Sequence, residues 1–262
     1  MYSSSIESYY NNPCSFHFRI KDLISQLQLR GDEKILDVGC GDGRLTVEIS
    51  KYLPQGYVIG LDCFPEIIEF AKGKFNRENH PNVEFQLGDA RSLEFEKSFD
   101  VIVSFEALHY IHDHIPLLTR FKEALKPSGK ILLLFLSEGS NNSIQFIVQE
   151  LLLHSKWKEL KNFHYQFYSP ADYKEMLQTV GFCTNSVEVF SLPLKHNSKI
   201  EIKQHLEKEW ISLTSRIPQE IYDVFIEDLV TIYMERNPPN QNGLIESDKQ
   251  SLEIQATIFP PA

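Results

Sequence analysis

The chain has 262 residues, 42% of them hydrophobic, and a formal net charge of −10. That is enough apolar material for one large domain, or for one domain carrying a smaller lobe. The acidic balance, with no basic stripe, argues against a nucleic-acid surface, which needs clustered Lys and Arg to release counterions from phosphates; a small or non-acidic partner is expected.

Four cysteines, Cys14, Cys40, Cys63 and Cys183, form no C-x-x-C pair and have no histidine cluster beside them. They read as reduced thiols, so neither a metal nor a disulfide is expected. The opening MYSSSIESYYNN has no cationic start and no apolar core, unlike a signal peptide. The longest apolar run, residues 131–136, is far short of the ~20 residues a membrane span requires. A cytoplasmic protein that does not meet a membrane is the expectation.

In chain order, a leading helix is expected over residues 15–27. Short apolar runs and helical patterns then alternate. The runs KILDV (34–38), YVIGLD (57–62), VEFQLG (83–88), DVIVSF (100–105) and KILLLFL (130–136) are apolar throughout rather than alternating, as parallel strands covered on both faces are. Between them, 44–52, 65–77 and 115–125 carry helical spacing. Pro65 sits where a helix can begin, and KPSGK (126–130) reads as a turn. Strand, helix, strand repeated four times defines an α/β fold, a doubly wound sheet with right-handed crossovers. Further on, 143–160 reads as one long helix. YSPADYKEMLQTVGF (168–182) is a turn, a helix begun near Ser169 and Pro170, and a glycine stop. Residues 184–192 and 252–259 look like two more strands. The mostly helical residues between them, 200–215 and 218–236, are too many for a loop and should form a cap above the sheet.

The first strand runs into KILDVGCGDGRL, with Gly39, Gly41 and Gly43 spaced G-x-G-x-G. In an open α/β sheet, ligands sit beyond the carboxyl ends of the strands, where such a loop would lie. Bare backbone allows a sharp turn and a close approach. The dinucleotide version is G-x-G-x-x-G, and the third glycine comes one residue early for a dehydrogenase. Asp37 precedes the loop and Asp42 lies inside it, and two carboxylates would repel a pyrophosphate. They suit a ligand with a cationic end. Asp62 closes the second strand, where a carboxylate can accept both hydroxyls of a ribose. Asp89 follows the third, where it can accept from an adenine amino group. Together these acids suit a phosphate-free nucleoside bearing an ammonium and a sulfonium, which describes S-adenosylmethionine.

The chain resembles the class I S-adenosylmethionine-dependent methyltransferases. ILDVGCGDG is similar to their first motif, VIGLDCF to their second-strand acidic motif and LGDARSL to their adenine motif. FDVIVSFEALHYIHD and LKPSGKILL resemble the motif of strand four and the turn into strand five. The resemblance covers about 30–190 plus the last strand. It implies a Rossmann-like seven-stranded sheet with the last strand antiparallel. It also implies an N-terminal helical lid over 1–29, a cofactor domain over 30–192 completed by 251–260, and a helical substrate cap over 193–250. Asp37 with the backbone of Gly39, Cys40 and Gly41 would meet the methionine part, and Asp62 the ribose. Cys63 or Phe64 would flank the adenine. Asp89 would bind its amino group beside Ala90, and the backbone around Phe105 would line the sulfonium. S-adenosylhomocysteine would be the product.

Within that family the layout resembles the small-molecule branch that includes trans-aconitate methyltransferase. The shared traits are the leading helix, HYQFYSPADYKEMLQTVGF, and an insertion holding Trp210 and Tyr233. This suggests carboxylate O-methylation. A carboxylate is ionised at neutral pH and needs no base, whereas a phenol, amine or carbon acid must lose a proton. His109 and Glu106 in FEALHY are the candidates for that task. Arg19 could pair with the cofactor carboxylate or with an acidic substrate. Tyr9, Tyr10, Trp157, His164, Tyr165 and Trp210 could line the acceptor pocket. The alternatives are methylation of RNA or protein, or a module that binds the cofactor without chemistry. NPPN (237–240) lacks the final aromatic and the position after strand four of a base-methylating motif, and reads as a helix breaker.

Overall fold

The computed structural model describes residues 17–160, 165–214 and 217–258. Tyr9, Tyr10, Cys14 and His164 lie outside them. Helix α1 (His17–Gln26) leads into β1 (Lys34–Val38), α2 (Arg44–Ser50), β2 (Tyr57–Asp62), α3 (Pro65–Lys74), β3 (Val83–Leu87) and β4 (Phe99–Phe105). Helix α4 (His114–Ala124), β5 (Leu125–Leu136), α5 (Ile144–Leu153) and α6 (Pro170–Val180) follow. Two long strands, β6 (Phe182–His196) and β7 (Ile245–Ile258), enclose α7 (Lys199–Glu209), α8 (Ile211–Thr214) and α9 (Gln219–Arg236). The seven strands form one sheet in the order β3-β2-β1-β4-β5-β7-β6. Strands β1 to β5 pair in parallel, and β7 runs antiparallel to both of its neighbours.

The chain order reverses at β1, whose neighbours are β2 and β4, so the tips of β1, β2 and β4 flank the switch point of a doubly wound sheet. One face of the sheet is covered by α4 and α6, packing Leu118, Phe121, Tyr173 and Leu177 on Leu36, Ile102, Ile131 and Leu133. The other face carries α1, α2 and α3 through Ile20, Leu23, Val47 and Ile68. A third cluster unites α5 with α7, α8 and α9 around Trp157, Trp210, Phe225 and Tyr233. The helical cap therefore has its own core, and it recruits α5 from before β6.

Several boundaries differ from expectation for identifiable reasons. The long helix over 143–160 stops at Leu153 and continues as a 3-10 segment, Ser155–Leu160, kinked at Trp157. There the indole packs edge-on against Phe225 at 5.0 Å, so the cap core overrides helical continuity. The helix over 200–215 breaks at Trp210, which leaves helical geometry at φ −111° and ψ 29°. KPSGK lies within β5 as a distorted entry, with Ser128 at φ +65°. Strands β6 and β7 are longer than expected because they pair with each other from Phe182↔Ile258 to His196↔Ile245. That register draws in polar residues on either side of the apolar runs.

Candidate active site

The three predicted acids converge on neighbouring strand tips. Asp37 sits in β1 opposite Gly60 of β2, and Asp62 closes β2 opposite Leu87 of β3. The loop after β1 is stitched to the tip of β2. Gly39 and Cys40 donate backbone N–H groups to the carbonyl of Leu61 at 2.7 and 3.0 Å, and the Gly41 N–H donates to Asp62 Oδ2 at 3.1 Å. Gly39 adopts φ +73°, and a Cβ there would meet the Ala107 Cβ at 2.3 Å. Gly41, at φ +53°, faces open space, with no atom within 4 Å of where a Cβ would be. The first glycine is demanded by packing; the second leaves backbone open to a ligand.

Asp37 is 2% exposed and accepts a 2.6 Å hydrogen bond from Thr46 Oγ1, in the first turn of α2. Burial, opposed in part by Thr46, pushes its pKa up to about 7, and the nearby charge of Asp62 adds to the rise. Asp62 is also raised, chiefly by burial, against backbone donors from Phe64, Gly41 and Cys63. Carboxylates held this way are short of positive charge. Asp62 keeps lone pairs free for further donors beyond its backbone bonds. Asp42 is buried against Arg44, at 2.8 Å. Burial and these acids raise Cys40 well above the usual thiol range, and burial with Asp62 and Asp89 raises the exposed Cys63. Both remain neutral thiols.

Asp89 reaches the tip of β3 as expected but presents no bare carboxylate. Arg91 grips it through Nε at 3.0 Å and Nη2 at 2.5 Å, with its backbone N–H at 2.9 Å, holding the Asp89 pKa below the usual range. The pair is largely exposed, so exchanging it for an adenine amino group costs at most about 1 kcal/mol. Ala90 is buried beside it, Phe64 is 38% exposed at the start of α3, and Phe105 is buried at the tip of β4.

A second group of polar side chains lies past β4. Glu106 takes a left-handed backbone, φ +56°, and its Oε2 accepts from Lys249 Nζ at 2.7 Å, while its Oε1 is buried without a hydrogen-bond donor. Such strain in a non-glycine residue persists only where its surroundings enforce it. His109 is 2% exposed, and burial, then Lys249 and His114, drive its pKa well below the usual range. Its Nδ1 accepts from the Leu136 N–H at 3.4 Å. With Nδ1 accepting, the neutral ring carries its proton on Nε2. Tyr165 stacks on His109 with centroids 6.0 Å apart and meets Trp210 edge-on at 5.6 Å. These contacts join the cap to the tip of β4. Trp157 stays in the cap core.

Arg19 does not reach this cleft with a spare fork. Its Nε and Nη2 grip Glu253 of β7 at 2.5 Å, and Nη1 holds Asp22. Its work is to fasten α1 to the sheet. Thr46, Lys249, Glu209 and Arg91 were not anticipated. Thr46 had a weak signal, standing nine residues after Asp37 in the first turn of the next helix. Lys249 had none, since it precedes the run expected to form the last strand, and only the pairing with Leu192 of β6 brings it into the sheet.

Residues 29–181, more than half of the chain, match the methyltransferase domain family. With the glycine loop and acid tips described above, the chain belongs to the S-adenosylmethionine-dependent methyltransferases of class I, and S-adenosylmethionine is its cofactor. It is 25% identical over 250 residues to trans-aconitate 2-methyltransferase of Mycobacterium tuberculosis, covering 91% of this chain and 86% of the relative. It is 25% identical over 233 residues to juvenile hormone acid O-methyltransferase of Drosophila melanogaster, covering 83% and 77%. In fold it is similar to the YcgJ protein of Bacillus subtilis, with a TM-score of 0.66 over 94% of this chain and all of the other, at 23% identity. No helix among the described residues is long and apolar enough to cross a membrane.

Proposed function

We propose that this methyltransferase acts on a small molecule held beneath the cap helices, and that the acceptor atom is a carboxylate oxygen. The observation that carries the reading is the closure of the cap on the tip of β4, through Trp210, Tyr165 and His109 and through Glu209, Lys249 and Glu106. Helices packed this closely on the strand tips suit a small acceptor better than a nucleic acid or a folded protein. Support for a carboxylate comes from the two relatives aligned over most of this chain, one named for trans-aconitate and the other for juvenile hormone acid.

When bound, the cofactor supplies a methyl group on a sulfonium, open to in-line displacement. The chain's part is alignment and the exclusion of water. Asp62 would hold the ribose hydroxyls, Asp37 with the backbone of Gly39, Cys40 and Gly41 the cationic methionine end, and Cys63 or Phe64 the adenine face. Asp89 and Ala90 would meet the adenine edge after Arg91 swings away, and Phe105 would back the sulfonium. Residues 193–250, joined by α5, would form the substrate cap, and residues 1–29 a lid.

A second reading has one observation behind it. The undonated Oε1 of Glu106 would suit an acceptor O–H or N–H, which Glu106 could deprotonate. Transfer of a radiolabelled methyl group to a panel of small acids, with cell RNA and protein in parallel, separates these cases. Carboxylate methylation gives label that alkali releases as methanol. Label stable to alkali favours the second reading, and label confined to RNA or protein removes both.

A further inference from the structure

We propose that Arg91 is a built-in competitor for the adenine subsite: its guanidinium fills the Asp89 carboxylate and has to leave before an adenine amino group can be accepted there. This rests on the reading of Asp89 given above and adds to it a residue that sets the affinity. Asp89 follows β3, whose last residue, Leu87, lies opposite Asp62. The Gly88 N–H donates to the Asp62 carbonyl at 3.0 Å. The ribose acid and the base acid are thereby held on adjoining strand tips, and Cys63 is near enough to feel Asp62, Asp89 and Arg91 together.

Asp89 is saturated. Arg91 brings four contacts to it, two on each oxygen: the backbone N–H at 2.9 Å and Nε at 3.0 Å on Oδ1, and Nε at 3.0 Å and Nη2 at 2.5 Å on Oδ2. A carboxylate offers about four lone-pair sites, so none is left for a further donor. The backbone contact belongs to the turn, where Asp89 caps the 3-10 segment Ala90–Ser92, and it stays. The side-chain contacts can be exchanged. Arg91 is 71% exposed, and Asp89 is its one ion-pair partner among the described residues. The released guanidinium passes into water.

The exchange is uneven. A guanidinium gives charge-assisted hydrogen bonds in a fork, whereas the adenine amino group is a neutral donor and gives one. Solvent exposure keeps the difference small. Cofactor and product are therefore both held less tightly than a bare Asp89 would hold them, and the returning guanidinium helps product to leave. The competition is also electrostatic. Salt screens an exposed ion pair, so it weakens the competitor and strengthens binding of the base. Specificity follows as well: a carboxylate freed of Arg91 accepts from a 6-amino purine and repels the oxygen of a 6-oxo purine.

The test is calorimetric titration with S-adenosylhomocysteine and with S-inosylhomocysteine, which carries a 6-oxo group in place of the amino group, at about 0.01 M and about 0.15 M salt. The proteins are wild type, Arg91→Met, Asp89→Asn and the double variant. Arg91→Met should bind S-adenosylhomocysteine about two- to fivefold more tightly than wild type at the lower salt, with the gain shrinking at the higher. Asp89→Asn should cost more in the Arg91→Met background than alone. Wild type should bind S-inosylhomocysteine at least tenfold more weakly than S-adenosylhomocysteine. Equal or weaker binding of S-adenosylhomocysteine by Arg91→Met at the lower salt overturns the competitor and leaves Asp89 as the base acid. A gain that persists undiminished at the higher salt comes from methionine touching the base, and overturns it too. Equal binding of the two ligands by wild type means that Arg91 stays in place and reads the base itself, which also overturns it. If Asp89→Asn has no effect in either background, the reading of Asp89 falls and the competitor with it, while Asp62 and the other cofactor contacts stand.

Discussion

The two ends of the cleft are built differently. The cofactor end, at the tips of β1, β2 and β3, is local: each acid lies in or directly after a strand, and Gly41 meets Asp62 only 21 positions later. The proposed acceptor end, at the tips of β4, β5 and β7, is assembled from afar. Glu106 and Lys249 are 143 positions apart, and the cap above them has a separate core. A shared cofactor can be held by short motifs, whereas the acceptor's surroundings come from contacts that can change without disturbing those motifs. The two ends should therefore fail independently.

The largest expected effect breaks the cap alone. Trp210→Ala empties a side chain that is 3% exposed, which costs about 3–5 kcal/mol of local stability. Hydrogen exchange should show α7 to α9 opening while S-adenosylhomocysteine still binds. Asp62→Ala should do the converse, weakening S-adenosylhomocysteine at least 100-fold by titration calorimetry, about 2.7 kcal/mol, with the cap's exchange unchanged. Gly39→Ala should lose about 1–3 kcal/mol, because its backbone is left-handed and Ala107 blocks the new methyl group. Thermal unfolding should then start several degrees lower.

A smaller effect sharpens the electrostatic side. The Asp37 pKa of about 7 stands above its ordinary 3.8, so without ligand the protonated form is favoured. Stability from this group is full below about pH 4 and is lost as pH rises through about 7. A cationic ligand prefers the ionised form, so cofactor affinity should climb up to about tenfold from pH 6 to pH 8. Asp37→Asn should remove much of that slope. Thr46→Val, by deleting the hydrogen bond that lowers the Asp37 pKa, should move it to higher pH.

Legibility in the sequence follows the same division. Strands β1 to β4 and the acids at their tips were readable because apolar runs ending in Asp or Gly carry their meaning within a few residues. The ends of β6 and β7 were not, because mutual pairing holds them where the pattern is polar. Arg19 was legible as a charge but not as the partner of Glu253, 234 positions away. Trp157 and Trp210 read as helical positions, yet both interrupt helices, since large side chains seek the cap core. The position of Asp89 just after a strand is legible, whereas its pairing with Arg91, two residues on, is not.

The central claim is that three acids at adjoining strand ends make a berth for a positively charged nucleoside lacking phosphate. Titration of the wild-type protein with S-adenosylmethionine, S-adenosylhomocysteine and NAD tests it directly. The account predicts saturable binding of the first two at one site and no heat from NAD. Binding of NAD, or silence from both of the others, would contradict it.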